Sequence, residues 1–361
     1  MGPVATINLG ALRHNLSIIR LLAPSAKVIC VIKADAYGHG MIEVASVLKE
    51  ADMLAVARVS EGVQLRQAGI SAAVMVLEGF SEAAEIELAV KYDLQMVIHH
   101  LDQLQILQSS NDHGQLHTWL KIDTGMHRLG IDADQAKVAY QQLQALHKAQ
   151  QAPGLMTHFA NADNVTDAST QRQIQLFDQV GKRCYGEQTL ANSAAILAWP
   201  ESHRDWVRPG LMLYGCSPLQ GMTAEQHHLQ PVMTLQSQLM VINHLKQGDC
   251  LGYGSTWCCP EDMPVGIIAI GYGDGYPRHA PSGTPVLING QRARLIGRVS
   301  MDMISIDLRG IDAQSGDMAT LWGEGLPVEE IAAAAGTISY ELLCGVTARV
   351  DHQYTDGEKT A

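Results

Sequence analysis

The stretch VICVIKADAYGHG, residues 28–40, decides the fold and points to the chemistry. Its first five residues are apolar and mostly β-branched, which predicts a short buried strand. Lys33 ends that strand, where an apolar wall favours the neutral, nucleophilic amine over the costly buried cation. Tyr37 can hydrogen-bond an anion, and Gly38 and Gly40 allow the backbone to approach a ligand. From these residues alone, a lysine that extends into solvent is an equally good interpretation.

A β/α rhythm runs through about 230 residues of the chain. Apolar runs typical of strands alternate with helix-like patterns, and eight such strands match the count and size of a (β/α)8 TIM-type barrel. A doubly wound open sheet is the alternative, but its GxGxxG fingerprint after the first strand is absent. The predicted strands are Lys27–Ile32, Met53–Ala57, Ala73–Leu77, Leu94–Ile98, His117–Ile122, Gly154–Phe159, Gln188–Ala191 and Trp206–Met212. The predicted helices include Leu9–Leu22, Glu61–Ala68, Glu82–Lys91, Asp134–Lys148 and Thr170–Lys182.

The pattern becomes β-rich near Gln230. Asn289-Gly290, between two apolar runs, is typical of a tight β-hairpin. We therefore expect two domains, an α/β barrel over residues 1–230 and a mainly β domain over residues 231–361. The β-rich runs are Val232–Asn243, Val265–Ile270, Val286–Ile288 and Arg292–Leu308, and helical patterns return at Val328–Ala335 and Tyr340–Cys344.

Charge and composition limit the partners and the location. The formal net charge is −12, from 37 acidic and 25 basic side chains, which argues against nucleic acid and anionic membranes as partners. No signal peptide is recognisable, and no apolar run approaches the ~18 residues that span a bilayer. The seven cysteines show no CxxC spacing, and the adjacent pair Cys258-Cys259 cannot form an unstrained local bridge. We expect reduced thiols and a cytoplasmic protein.

Polar residues follow the predicted barrel strands at their carboxyl ends, where barrel enzymes place their sites. A hydroxyl at Ser193 and backbone amides near Gly210 fall after strands seven and eight, where a phosphate is expected. Each residue alone has an ordinary interpretation: His158 could be a core histidine and Arg208 a structural ion-pair partner. Their clustering favours a site. The strand-end residues are Lys33, Tyr37, Lys121, Arg128, His158, Asn192, Ser193, Arg208 and Gly210.

Residues 31–40 resemble the pyridoxal-phosphate lysine motif of the alanine racemase family. The resemblance continues in order from about Val4 to Tyr340. It includes Gly252-Tyr253-Gly254-Ser255, the run GYGDGYPR at residues 271–278 and the run GRVSMDM at residues 297–303. The family match implies a barrel with a C-terminal β domain and pyridoxal 5'-phosphate as the cofactor.

The resemblance also implies residue roles. Lys33 would hold the cofactor covalently, and Arg208, supported by His158, would face its pyridine nitrogen with a guanidinium that cannot hand over a proton. Arg128 would orient the substrate carboxylate. The implied phosphate ligands are Tyr37, Ser193, Gly210, Leu211 and Tyr340, with Asn192 beside them. Tyr272 and Met301 would lie at the substrate, and Lys121, Asp163, Arg278 and Asp302 would have supporting or entry roles. Lys121 matches a position that is carbamylated in some relatives.

Racemisation removes a proton from one face of a carbon and returns one to the other, so two opposed groups are the simplest solution. The resemblance implies that Tyr253 reaches the site from a partner subunit and acts on L-alanine, while Lys33 acts on D-alanine. The sites would then be shared across a homodimer. Without the resemblance, Tyr253 is more simply a turn residue between glycines.

The resemblance therefore implies an alanine racemase that supplies D-alanine for peptidoglycan. A decarboxylase of the same fold is one alternative, although such lyases carry a cysteine where Tyr253 stands. A racemase of another small amino acid, such as serine, is a second. A non-catalytic pyridoxal-phosphate carrier would leave the motifs after residue 250 without a purpose. A metal hydrolase barrel would use some of the 15 histidines, but they show no HxH or HExxH spacing.

Overall fold

The computed structural model describes residues 2–110, 116–146, 152–182 and 184–357. Its first half is a barrel of parallel strands with helices outside, entered through strand β1 (Val4–Asn8) and helix α1 (Leu9–Leu22). The eight barrel strands are β2 (Lys27–Val31), β3 (Met53–Val56), β4 (Val74–Val76), β5 (Leu94–Ile98), β6 (Thr118–Asp123), β8 (Gly154–Met156), β9 (Gln188–Asn192) and β10 (Trp206–Arg208). The short strand β7 (Ile131–Asp132) pairs with the end of β6. The helical segments are α2 (Lys33–Gly38), α3 (Met41–Val47), α4 (Val59–Gln67), α5 (Ala83–Lys91), α6 (Leu101–Ser109), α7 (Ala133–Leu146), α8 (Ser169–Gly181) and α9 (Ser193–Ala198).

The barrel closes through parallel pairing alone. The strands lie in the order β5-β4-β3-β2-β10-β9-β8-β6, and β5 also pairs with β6. Strands β3 and β4 are buried along their whole length, as expected where side chains pack both inside the barrel and against the outer helices. The predicted (β/α)8 barrel is confirmed. Every carboxyl end therefore opens at the same rim, which is where the polar residues gather.

Several barrel predictions differ in extent from the structure, among them the strand predicted over Gly154–Phe159, which ends at Met156. The strand predicted over Trp206–Met212 ends at Arg208, because Pro209 has no N–H to donate and Leu211–Tyr214 turns into a 3-10 helix. The helix predicted over Asp134–Lys148 is α7, and residues 147 and 148 lie outside the described residues.

The second half of the chain is mainly β, as predicted. One sheet has the order β14-β17-β16-β15-β18-β11-β1-β19, so the opening strand β1 pairs with β11 and β19 in this sheet. Its members after the barrel are β11 (Met233–Leu245), β14 (Met263–Ile268), β15 (Pro285–Ile288), β16 (Gln291–Ile296), β17 (Ile304–Asp307), β18 (Met318–Trp322) and β19 (Asp351–Thr355). Beside it lie α10 (Val328–Ala335), α11 (Ser339–Cys344) and a separate two-stranded hairpin of β12 (Cys250–Leu251) and β13 (Trp257–Cys258).

The hairpin predicted at Asn289-Gly290 is confirmed, since both residues have positive φ and join the antiparallel strands β15 and β16. The single run predicted over Arg292–Leu308 is wrong. It divides into β16 and β17, and Gly297, with a φ of 72°, begins the connection between them.

The expectation that the cysteines are reduced is wrong for one pair. Cys250 and Cys258 lie directly opposite one another in the two-stranded hairpin and form a disulfide. Of the remaining cysteines, Cys30, Cys184, Cys216 and Cys259 are buried and Cys344 is exposed. In the described part of the chain, no helix is both long and apolar enough to cross a membrane.

Candidate active site

A cavity of about 590 Å³ opens at the carboxyl ends of the barrel strands, a size typical of small-molecule sites. Leu77, Met156 and Ile338 give it apolar walls. It brings together eleven of the residues predicted for the site: Lys33, Tyr37, Lys121, Arg128, His158, Asn192, Ser193, Arg208, Gly210, Leu211 and Tyr340.

Arg208 is buried at the base of this cavity and is held by neutral groups. Its guanidinium donates to Thr189 Oγ1 at 2.7 Å and to the carbonyl oxygens of Thr157 at 2.6 Å and Leu190 at 3.1 Å. His158 Nδ1 lies 3.4 Å from Nη2 and faces it as an acceptor. Burial lowers the pKa of Arg208 to about 9, so the side chain stays charged at neutral pH. Burial and the cations around it, Arg208 first, hold the pKa of His158 well below its usual value.

The cavity carries a surplus of positive charge. Lys33, Lys121, Arg128 and Arg208 all line it, and none of the four forms an ion pair with a residue that the structure describes. Burial, and then the charges of the other three cations, lowers the pKa of Lys121 to about 8. The carboxylate among the lining residues, Glu78, lies 3.7 Å from Arg58. Because unpaired cations in a partly buried space are costly, the cavity suits a ligand with more than one anionic group.

One corner of the cavity presents hydroxyl and amide donors. Ser193 Oγ accepts hydrogen bonds from the amides of Gly210 at 2.9 Å and Met212 at 3.3 Å, so its own hydrogen is free to be donated. A Cβ on Gly210 would lie 2.5 Å from Tyr37 Oη, which explains the glycine. Burial raises the pKa of Tyr37 and raises that of Tyr340 to about 12, so both hydroxyls keep their protons. These are the donors that a phosphate requires.

Lys33 leads into a left-handed turn that the sequence did not predict. Four consecutive residues without a glycine, Ala34 to Tyr37, have φ between 52° and 55°, at a cost of ~1–2 kcal/mol each. His39 Nδ1 lies 2.9 Å from the Ala36 carbonyl and 3.0 Å from that of Tyr37, and Glu61 accepts from the Ala34 amide. Such strain persists where the surrounding structure fixes it, commonly at functional sites.

The remaining predicted residues lie elsewhere in the single chain. Tyr253 is 68% exposed on the two-stranded hairpin, and neither it nor Tyr272 or Met301, also exposed, is among the residues lining the Lys33 cavity. Asp163 accepts from Gln220 Nε2 and lines a neighbouring cavity of about 570 Å³ that shares His158, Asn192, Leu211 and Tyr340 with the first. Asp302 accepts from Arg349, and Arg278 is exposed.

Sequence reasoning missed several groups that hold the site. Thr189 Oγ1 and the Thr157 carbonyl oxygen accept hydrogen bonds from Arg208. The ring of Tyr214 stacks on that of Tyr37, with centroids 4.8 Å apart. Cys344 and Ile338, from α11 and its start, also line the cavity. Thr189 lies in strand β9, so period-two alternation could have shown that its side chain points inward, but not that it binds an arginine. Thr157 follows β8 and binds Arg208 through its backbone carbonyl, which the residue type does not indicate.

Comparison with known proteins identifies the family. Residues 7–218 match the family model of the alanine racemase N-terminal domain, and residues 232–354 match that of the C-terminal domain. The chain belongs to the alanine racemase family. It is 47% identical over 352 residues to an alanine racemase of Aeromonas hydrophila, covering 97% of this chain and 99% of the relative, and 49% identical over 362 residues to one of Coxiella burnetii, covering 98% and 99%.

Solved structures support the same family assignment. A biosynthetic alanine racemase from Pseudomonas aeruginosa superposes with a TM-score of 0.95 at 42% identity, covering 98% of this chain and 99% of the other. An alanine racemase from Bartonella henselae with covalently bound pyridoxal phosphate superposes with a TM-score of 0.88 at 26% identity, covering 98% and 100%. Members of the family are isomerases that depend on pyridoxal phosphate. The cavity fits that group, because Arg208 is buried with no anionic partner among the described residues and Ser193 has a hydroxyl hydrogen to donate.

Proposed function

We propose that Lys33 and Tyr253 of the partner subunit are the opposed proton-transfer groups with which this chain interconverts L- and D-alanine. The observation that carries the proposal is their separation: Lys33 lines the cavity at the barrel mouth, whereas Tyr253 is exposed on a hairpin that does not line it. A second copy can supply the missing tyrosine to the open face of the cavity. Each site is then complete only in a homodimer.

The residues around Lys33 have matching tasks in this proposal. Its amine holds the cofactor covalently. The hydroxyls of Tyr37, Ser193 and Tyr340 and the amide of Leu211 bind the phosphate, and the Gly210 amide, which donates to Ser193, fixes that hydroxyl. When bound, pyridoxal phosphate withdraws electrons from the substrate Cα and makes its proton removable.

The cations that line the cavity, and the residues that position them, have separate roles in this proposal. Arg208 would donate to the pyridine nitrogen from a fixed position, since its hydrogen bonds to Thr189 and Thr157 leave it little freedom to move. Arg128 binds the substrate carboxylate through its planar fork. His158, neutral because its pKa is low, orients Arg208 without adding charge. Asn192 caps α9 by accepting from the Ala195 amide and so places Ser193.

The exposed face around Tyr253 fits a subunit interface. Tyr253, Tyr272, Met301 and Met303 are all between 40% and 68% exposed, and exposed apolar side chains in such numbers mark contact surfaces. In the dimer, Tyr272 and Met301 would border the substrate, with Arg278, Asp302 and Asp163 along its entry. Lys121 would support Arg128 in the same site.

We also propose the setting of the activity. The domain division that we propose assigns residues 1–230 to the barrel domain and residues 231–361 to the β domain, and the opening strand β1 joins the sheet of the second domain. The enzyme works in the cytoplasm and supplies D-alanine for peptidoglycan.

The test is incubation of the holoenzyme with L-alanine in heavy water while chirality and α-deuterium are followed. Loss of optical activity with α-deuteration supports the proposal. Exchange with retained chirality would show a working Lys33 but no opposed group, which contradicts it. Decarboxylation, or activity on L-serine without activity on L-alanine, would replace the proposed substrate or reaction.

A further inference from the structure

Tyr253 lies inside a ring that is closed by a covalent bond. Cys250 and Cys258 are eight positions apart, are paired across β12 and β13, and are joined by the disulfide. The hairpin is a sheet of its own and shares no ladder with the large sheet. The bond therefore spans the neck of the loop whose tip carries the proposed proton donor and acceptor.

The tip of this loop has little else to hold it. Residues 252–256 are all exposed, and Gly252, Gly254 and Ser255 have positive φ values of 68°, 74° and 48°. Within the tip, the Ser255 amide donates to the Gly252 carbonyl at 3.3 Å. Glycines widen the range of backbone conformations that the open loop can reach. A restraint at the neck thus has a large effect on where the tyrosine points.

On the side of the disulfide away from the tip, backbone hydrogen bonds and a small apolar cluster hold the base of the hairpin. Cys259 exchanges backbone hydrogen bonds with Gly248 and Asp249, at 2.9 and 2.8 Å. A satellite apolar cluster, separate from the main core, anchors the base of the hairpin: Cys259, Met263, Val265 and Ile296 are buried, with Leu245, Leu251, Trp257 and Ile267 packed against them. Loss of the disulfide should therefore loosen the tip without unfolding the base.

We propose that Cys250 and Cys258 form a thiol–disulfide exchange site that positions Tyr253, so that racemisation depends on the redox state of this pair. The inference rests on the proposed role of Tyr253. The partners are low-molecular-weight thiols and disulfides. Both cysteines are exposed in the single chain, and alkylation of the assembled holoenzyme tests whether they are accessible there. The cysteines act through the tyrosine and are positioning residues.

The exchange balances without any further reagent. In the oxidising direction, the thiolate of one cysteine attacks a small disulfide such as glutathione disulfide, releases one thiol and forms a mixed disulfide. The second cysteine then displaces the other thiol as the protein S–S bond forms. The two protein thiols lose two protons and two electrons, and the small disulfide is reduced to two thiols. Reduction by a dithiol reverses each step.

The oxidised enzyme should be the better racemase. Opening a ring of this length frees enough conformational entropy that we expect the racemisation rate to fall about tenfold on reduction, with the hairpin pairing limiting the loss. The Lys33 side of the site is untouched. D-alanine should therefore continue to exchange its α-hydrogen with solvent, and the ratio of exchange to inversion should rise by a similar factor.

The experiment compares the holoenzyme after treatment with glutathione disulfide and with dithiothreitol, at matched pyridoxal-phosphate occupancy. Alkylation and mass spectrometry identify which cysteines are free in each sample. Racemisation and α-deuterium exchange of D-alanine are measured in heavy water. The control is the Cys250→Ser/Cys258→Ser variant, which should resemble the reduced enzyme and show no response to either reagent. A Cys250→Val/Cys258→Val variant restores an apolar cross-strand pair and should recover part of the rate.

Three results would overturn the inference. The first is that both cysteines stay alkylatable after oxidation. The second is a redox response that persists in the double serine variant, which would place it at another thiol. The third is an unchanged ratio of exchange to inversion on reduction, which would make the bond merely structural. If Tyr253→Phe racemises normally, the proposed function fails as well. If that variant is inactive while reduction has no effect, only the redox inference fails.

Discussion

Two inactive variants should restore each other if the sites are shared. Lys33→Ala lacks one proposed group and Tyr253→Phe the other, and in one chain the two residues do not share a cavity. In a mixed dimer, one site combines the intact Lys33 with the intact Tyr253, while the other site lacks both. Random reassembly makes about half of the dimers mixed, each with one complete site, so activity should recover to about one quarter of the wild-type value.

The assay follows loss of optical activity of L-alanine after the variants are dissociated and reassembled, with native mass spectrometry to confirm exchange of differently tagged subunits. The matched control mixes wild type with the double variant Lys33→Ala/Tyr253→Phe. Shared sites make every mixed dimer inactive, so an equal mixture keeps about one quarter of full activity, whereas self-contained sites would keep about half. No recovery in the first mixture, together with one half in the control, would show that each site is built from one chain.

Two further variants and one chemical modification test the structure. Asn15 is buried and bonds the carbonyls of Leu213 and Gln230 and the Gln230 amide, so Asn15→Leu should lower the free energy of unfolding by about 3 kcal/mol in urea titrations. Ser193→Ala should weaken pyridoxal-phosphate binding to the apoprotein about tenfold, measured by fluorescence, because a buried donor is lost. Lys121, with a pKa of about 8, should form a carbamate under a fixed pressure of ¹³CO₂, increasing from pH 7 to 9 as the amine becomes neutral.

Each of these has a control. Ser17→Ala, on the exposed face of the same helix, should leave the unfolding free energy nearly unchanged; an equal loss would remove the special role of Asn15. Ser193→Thr keeps a hydroxyl and should bind the cofactor more tightly than Ser193→Ala, and equal affinities would mean that the hydroxyl is not a phosphate ligand. The carbamate resonance should be missing in Lys121→Met. A carbamate that decreases with pH over this range would contradict the lowered pKa.

Much of the barrel could be predicted because its signals are local. Parallel strands buried on both faces give continuous apolar runs, and β5, Leu94–Ile98, matches its predicted limits. Non-local pairing is harder to predict. Nothing in Val4–Asn8 indicates that it lies between β11 and β19, because the partners that choose its place are more than 200 positions away. Strands β18 and β19 were missed for the same reason.

In the site, too, the features that follow from local sequence could be predicted, and those set by tertiary contacts could not. Residues at strand ends share a rim, so the grouping of Lys33 with His158 and Arg208 follows from the barrel. Residues 34–37 include no glycine or asparagine that would indicate the left-handed turn after Lys33. The turn is fixed by tertiary contacts such as those of His39. The Cys250–Cys258 bond could not be predicted from cysteine spacing, because only the hairpin register brings the two residues together.

In the proposed mechanism, Lys33 and the partner's Tyr253 act on opposite faces of the substrate. The most direct measurement is α-hydrogen exchange in heavy water for each enantiomer with the Tyr253→Phe holoenzyme, using Tyr185→Phe, a substitution at a 79% exposed tyrosine, as the control. We predict that D-alanine gains α-deuterium with retained configuration while L-alanine keeps its α-hydrogen, and that the control racemises both. Equal slowing of exchange for both enantiomers in Tyr253→Phe would contradict the assignment of the two groups.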